Sequence, residues 1–410
     1  MNRYQKMYYS SNSSYLFHFI AYGVYCITDR LWIYVLAFSL EHLGGLKLVA
    51  LSQLVLSGAS TLFSSQVGNQ LDRHDRLRGA LIAIIANNVS MALASAALLT
   101  CRLLDLEGHY FKLAISVSVA LAAIGKAASD GEQIVMNKDW VVVMVESEGK
   151  KGNLAARNTT MSTIYQVSSI VSPVFGGFVV SSVGISAACV FFAVWSLVSL
   201  ATKAVLLRLV YFTVPLLAER DVYKVSVVDA SSDKSKPASK RSPLLEYVSH
   251  TVFPAAFGLA LLYITVFEYD ALVIGYVESR GLTANIVGTF GSVSAVFGLL
   301  GSFLYSFLQN HISTKRAGLV GVTCYFLAVS PCIVSLFLPG GLFSHTASHT
   351  AVFVYLGGVC LGIPQKRCFR SPKRVLSALR RRQEPSNHLH TRKFHVSVDD
   401  PRFLGFAYRR

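Results

Sequence analysis

Ten apolar runs, most of them long enough to cross a bilayer, dominate this 410-residue chain. They lie at 15–40, 46–68, 79–100, 110–128, 155–180, 184–208, 251–276, 284–309, 317–338 and, shorter, 348–362. A helix needs about 20 apolar residues to span the hydrocarbon core, and in lipid only helices and closed barrels satisfy every backbone polar group. Charged residues make up 15% of the chain, against about 25% in soluble domains. The chain reads as an all-α, multi-pass membrane protein. The first run is too long for a cleavable signal peptide and begins behind Tyr and Ser, not a compact basic stretch.

Lys and Arg in the short loops set the orientation. With a cytoplasmic N-terminus, the inner segments collect Arg73, Arg76, Arg78, Lys138, Lys150, Lys151, a basic cluster between 220 and 241, Lys315 and Arg316. The outer segments hold little beyond Lys47, Arg102, Lys112 and Arg280. The formal charge of +16 is mostly a tail: thirteen Lys and Arg against three carboxylates from Lys366 onward supply +10 of it. Beside anionic lipid such a tail is attracted to the surface. It lacks the folded basic face with aromatic platforms that nucleic-acid binding requires, so no nucleic-acid partner is expected. Seven scattered cysteines with no CxxC pair predict packing thiols and no disulfide framework.

The spans divide after the sixth. Residues 1–208 are expected to form a six-helix lobe. Residues 209–250, with a Ser-, Lys- and Pro-rich stretch, read as a flexible cytoplasmic linker. Residues 251–362 hold spans seven to ten, and 363–410 the basic polar tail. Two helical sets around a linker is the layout of a two-lobed transporter with its site near mid-membrane.

Two carboxylates stand inside apolar runs: Asp29 in the first and Asp270 in the seventh. An ionised group at the centre of a membrane helix costs roughly 2.5–3.5 kcal/mol on insertion scales and usually faces the bundle interior or a watery path. Each has two readings, a cation ligand or a structural lock, with Arg30 or a more distant Arg the partner for Asp29. Glu268 adds a nearby carboxylate to Asp270, although residues two apart on a helix diverge. His18 reads as an interfacial histidine, His345 and His349 as a solvated loop, and His388 and His390 as incidental. The loop after span two runs Gly68-Asn69-Gln70-Leu71-Asp72-Arg73, then Arg76 and Arg78. It resembles the loop signature of the major facilitator superfamily, in which Asp72, Arg73 and Arg76 would lock a cytoplasmic gate. Asp139 reads as a gate partner for a basic residue, and Arg30 joins this gating set. No P-loop, GxSxG or HExxH motif occurs, so no enzyme activity is expected.

A closer resemblance rests on several blocks in order. Thr28-Asp29-Arg30-Leu31-Trp32, Lys138-Asp139-Trp140, Asn158-Thr159-Thr160 with Gln166, Trp195-Ser196-Leu197, Tyr263 to Gly281 around Asp270, and Phe337-Leu338-Pro339-Gly340 together resemble the ferroportin family of ferrous-iron exporters across about 15–362. The resemblance implies a major facilitator-type two-lobed bundle at the plasma membrane that moves Fe2+ out of the cytoplasm by alternating access, with Fe2+ as substrate and no cofactor. Asp29 carries over as the first-lobe ligand, with Tyr165 or Gln166 reaching across, and Asp270 as the second-lobe ligand. Ile33, Ser162 and Tyr165 replace a His, an Arg and an Asp of the vertebrate pattern. Ala271 replaces the cysteine that serves both metal and the hormone hepcidin, which implies no hepcidin control. The chain turns polar at Ile363-Pro364, where the family continues its tenth span and adds two more, so the second lobe is expected to be incomplete. Export of another divalent metal, Co2+ or Ni2+, and a non-transporting truncated isoform are the alternatives.

Overall fold

The computed structural model describes residues 3–102, 104, 108–148, 154–218, 253, 257, 269–311, 314–341 and 348–369. The expected linker from 219, the first half of span seven with Glu268, His345, and the tail with His388 and His390 lie outside the described residues. Among the described residues every regular element is helical.

Helix α1, Arg3–Arg73, carries spans one and two in 71 residues. At 1.5 Å per residue a straight helix of that length would run about 105 Å, more than three bilayer cores. It does not run straight, because Gly45 interrupts it with φ 67° and ψ −172°. A side chain there would force the left-handed region that glycine alone enters freely. Helix α2, Arg76–Cys101, is span three. Helix α5, Leu154–Thr213, repeats the device of α1: spans five and six meet at Gly184, with φ 78° and ψ 167°. Its second arm runs five residues past the predicted end at 208, and a 3-10 turn at Pro215–Leu217 follows.

Span four departs most from its apolar outline at 110–128. Helix α3, His109–Ile134, passes through a π-helical stretch, Val135–Trp140, into α4, Val141–Ser147. The polar half of this rod stays helical because its side chains find partners inside the bundle. The π stretch also corrects the expectation for His18, which is fully buried. Its Nε2–H donates to the carbonyl of Met136 at 3.1 Å, and its ring stacks on Trp140. A π turn loosens the regular i→i−4 ladder, and His18 sits at a carbonyl within it.

The later elements are α6, Ala271–Ser279, α7, Ala284–His311, α8, Thr314–Ser335, and α9, Thr350–Phe369. The helical backbone of α9 continues past Pro364, beyond the end of the apolar run. Five helices among the described residues are long and apolar enough to cross a membrane, two of them the broken pairs. Large apolar side chains such as Leu54, Leu62, Phe178, Phe212, Phe303 and Phe326 are exposed, the surface a bilayer covers.

The chain divides into two compact units. In the first, which holds α1 to α5 and Asp270–Ser292, α1 packs on α5, α3 and α6, and α2 on α3 and α5. Tyr22, Tyr25, Met136, Trp140 and Leu207 lie in its core. Here α5 and α7 cross at backbone contact: a Cβ on Gly177 would lie 2.5 Å from the Ala284 carbonyl oxygen and 3.2 Å from the Gly288 Cα. In the second unit α8 packs on α9, with Cys332 and Val359 buried against Tyr269 and Tyr355.

Candidate functional site

A polar seam runs through the interior of the first unit. Asp29, half-buried on α1, accepts a hydrogen bond from the Ser129 hydroxyl at 2.9 Å. The Ser129 oxygen lies 3.2 Å from the Tyr25 hydroxyl. One residue before Asp29, the Thr28 hydroxyl accepts from the Trp195 indole N–H at 3.1 Å and lies 3.0 Å from Ser199. Spans one, four and six are thereby pinned around one carboxylate. No ion pair joins Asp29 to Arg30 or to any other base among the described residues. Arg30 instead lies over the Tyr165 ring, 4.8 Å from its centroid, and its Nε is buried without a hydrogen-bond partner. Gln166, beside Tyr165 on α5, is buried.

The same seam contains an ion pair that the apolar-run argument passed over. Lys203 Nζ lies 2.6 Å from Glu132 Oε1, and both side chains are withdrawn from solvent. Asn87 donates to the other Glu132 oxygen at 2.8 Å. Both charges are therefore paired, as buried charges must be. The signal was present in the sequence: Lys203 is a base inside the apolar run 184–208, whose only other base, Arg208, is its last residue, as Asp29 is a lone acid in its own run. Nearby on α3, Asp130 pairs with Lys126 at 2.8 Å and accepts from the Ser60 hydroxyl.

At the end of the bundle where α1 gives way to α2, the structure sorts the gate residues. Arg76 is buried and its Nε lies 3.2 Å from Asp139 Oδ1, so the two are paired. Asp72 and Arg73 are exposed. Glu148 and Arg157 form a further pair at 3.3 Å, with the Arg157 guanidinium over the Tyr15 ring.

Asp270 does not sit within a helix. It is the N-cap of α6, and its Oδ1 accepts from the amides of Leu272 and Val273 at 3.1 and 3.2 Å. Helix α6 thus begins inside the predicted seventh run, directly after Asp270. Both capping hydrogen bonds fall on Oδ1. His349 is exposed.

A third cluster joins the end of span one to the end of α6. His42 Nδ1 lies 3.3 Å from Glu41 Oε2 and 3.1 Å from Glu278 Oε1. Glu278 stands two residues beyond the predicted seventh span. Burial, and then the Glu41 carboxylate, push its carboxyl up to about 9.

The comparisons with known proteins agree on one family. The Ferroportin1 (FPN1) family model matches residues 12–362. Human ferroportin is 26% identical over 359 residues, covering 76% of this chain and 62% of that protein. Dog ferroportin is 25% identical with the same coverage. Solute carrier family 40 member 2 of Arabidopsis thaliana is 26% identical over 350 residues, 75% of this chain and 68% of that one. The chain thus spans less than two thirds of the length of its mammalian relatives. In fold it is similar to a bacterial homologue of the iron transporter ferroportin in an inward-facing state, with a TM-score of 0.68 at 16% identity over 91% of this chain and 85% of that one. A D-xylose–proton symporter shares the fold at a TM-score of 0.58 and 13% identity, covering 88% and 81%. The collinear blocks, the helical architecture and the family match over most of its length make this chain a member of the ferroportin family, a multi-pass membrane protein of the major facilitator type.

Proposed function

We propose that the chain moves Fe2+ out of the cytoplasm by alternating access, at the plasma membrane and with its N-terminus inside. The observation that carries this reading is Asp29: a half-buried carboxylate in a membrane span, held by a serine hydroxyl with no basic partner among the described residues. A charge kept at that cost and left uncompensated is suited to a passing cation. Fe2+ accepts carboxylate and neutral oxygen or nitrogen donors, and one carboxylate with weak neighbours binds loosely enough to release. Tyr165, Gln166 and Asp270 complete the proposed donor set. The Arg76–Asp139 pair is read as a cytoplasmic lock that breaks and reforms in the cycle. Ala271, buried at the start of α6, offers no thiol, and the proposal includes no hepcidin control.

Replacing each carboxylate by asparagine separates charge from shape, because asparagine still caps a helix. Asp29→Asn and Asp270→Asn are expected to lower radio-iron efflux from expressing cells at least about tenfold, a loss of 1.4 kcal/mol or more, at unchanged surface level. Normal efflux from both variants would refute the metal-site reading. Selective loss of cobalt or nickel efflux alone would reassign the cargo. For topology, tags placed before Met7 and in the 220–245 segment should both be protected inside sealed cells. Labelling of one and not the other in intact cells contradicts the orientation.

A further inference from the structure

We infer that Glu41, His42 and Glu278 form a second divalent-cation site, separate from the Asp29 seam, which ties the end of span one to the end of α6. One donor atom from each residue lies within 4.8 Å of the other two. The imidazole Nδ1 stands 3.3 and 3.1 Å from the two carboxylates. Ligands about 2.1 Å from a tetrahedral cation lie roughly 3.4 Å from one another, so the imidazole already stands at near-coordination spacing from both carboxylates, which lie within 4.8 Å of each other.

The second observation is Glu278 itself. Its side chain is 10% exposed. One of its oxygens, Oε2, is buried and has no hydrogen-bond partner. A buried carboxylate oxygen without a donor carries a desolvation cost that a hydrogen bond or a cation would remove. No lysine or arginine ion pair reaches Glu278 or Glu41 among the described residues. Among the described residues the ion-pair partner of Glu278 is His42, whose side chain is 45% exposed and so open to an incoming ion.

The donor set selects the class of ion. A bound divalent cation would displace the proton that burial favours on Glu278, and the two carboxylates so exposed to it supply two negative charges that it neutralises. An imidazole ligand favours first-row transition ions and Zn2+ over Ca2+ and Mg2+, which prefer oxygen donors throughout. Glu41 and His42 lie one turn before the Gly45 break, and Glu278 lies in the last turn of α6. A cation held by all three would fasten two helix ends that otherwise meet through packing and the His42–Glu278 contact. This site does not depend on the identity of the transported ion.

The test uses the purified full chain in lipid nanodiscs, with Co2+ as an optical probe of coordination. Measurements are made in an Asp29→Asn/Asp270→Asn background, which removes the proposed transport ligands. The expected result is one saturable Co2+ equivalent with visible d–d bands, displaced by Zn2+ and not by Mg2+. Its affinity should fall at least about tenfold in Glu278→Gln and again in His42→Ala, each measured in that background. Glu278→Gln keeps the shape of the side chain, and His42 is exposed, so unchanged helical circular dichroism in either variant shows that the loss belongs to the site. The proposal is overturned if the background protein binds no Co2+, or if both variants bind it as tightly as the background. Co2+ binding to the unmodified chain that vanishes in the background would also overturn it, while supporting the Asp29 reading.

Discussion

Replacing Lys203 by methionine should leave almost no folded protein at the cell surface. The ammonium lies 2.6 Å from Glu132 in a position closed to solvent. Methionine keeps most of the volume and removes the charge, so Glu132 loses its ion-pair partner and keeps the Asn87 amide as a donor. Breaking a buried pair from one side typically costs about 3–5 kcal/mol, because the surviving charge is stranded. That is comparable to the whole net stability of many domains. Removing both charges is a different experiment. In Lys203→Met/Glu132→Gln no charge is stranded, and such replacements are often neutral or stabilising. The double variant is therefore expected to recover most of the surface level and most of the apparent melting temperature in detergent. Equal stability of the single variant and the parent would show that Glu132 is neutral or hydrated, and the pair would lose its structural role.

The second large effect is expected at Gly288. A methyl group there would run into the backbone of Pro173, and the Cα of Gly177 would lie 3.2 Å from it. Both obstacles are main chain, which has no rotamer to change. Small residues let membrane helices approach closely, and their loss forces the helices apart. Gly288→Ala should cost about 1–3 kcal/mol by overpacking, and Gly288→Leu should prevent assembly. The separation would also break the amide of Asn285 from the Ser181 hydroxyl, now 3.2 Å away. A thermal melt in detergent that places Gly288→Leu level with the parent would show that α5 and α7 do not cross this closely.

Much of this architecture was legible in the sequence, for reasons that differ by residue. Spans one to three and five to six follow from apolar length alone, since lipid removes every alternative to the helix. Span four was under-read, because Ser129, Asp130, Glu132 and Asn137 interrupt its apolar run. Three of their partners, Asp29, Lys203 and Tyr22, stand far off in sequence, and only Lys126, one turn before Asp130, lies close by. Asp29 announced itself as a lone acid, but its serine partner could not be named, since serine is common in these helices. Asp270 read as a mid-helix acid and proves to be a cap, because a helix start inside an apolar run leaves no compositional mark. The His42 cluster escaped notice for the opposite reason. Its members sit at span ends, where charged residues are ordinary, and only the fold brings residue 278 against 42.

The two glycine breaks carry a mechanical consequence. Spans one and two meet at Gly45, and spans five and six at Gly184, with nearly the same dihedral angles and no loop between the arms. A connection without spare residues has no slack. If each arm crosses the membrane once, both elbows lie on the same face, and each couples its two arms like a bent rod. Tilting span one then drags span two with it, and tilting span five drags span six. Four of the first six spans would move as two stiff members, so a small displacement at either elbow would be delivered to the opposite face, where Arg76 and Asp139 meet.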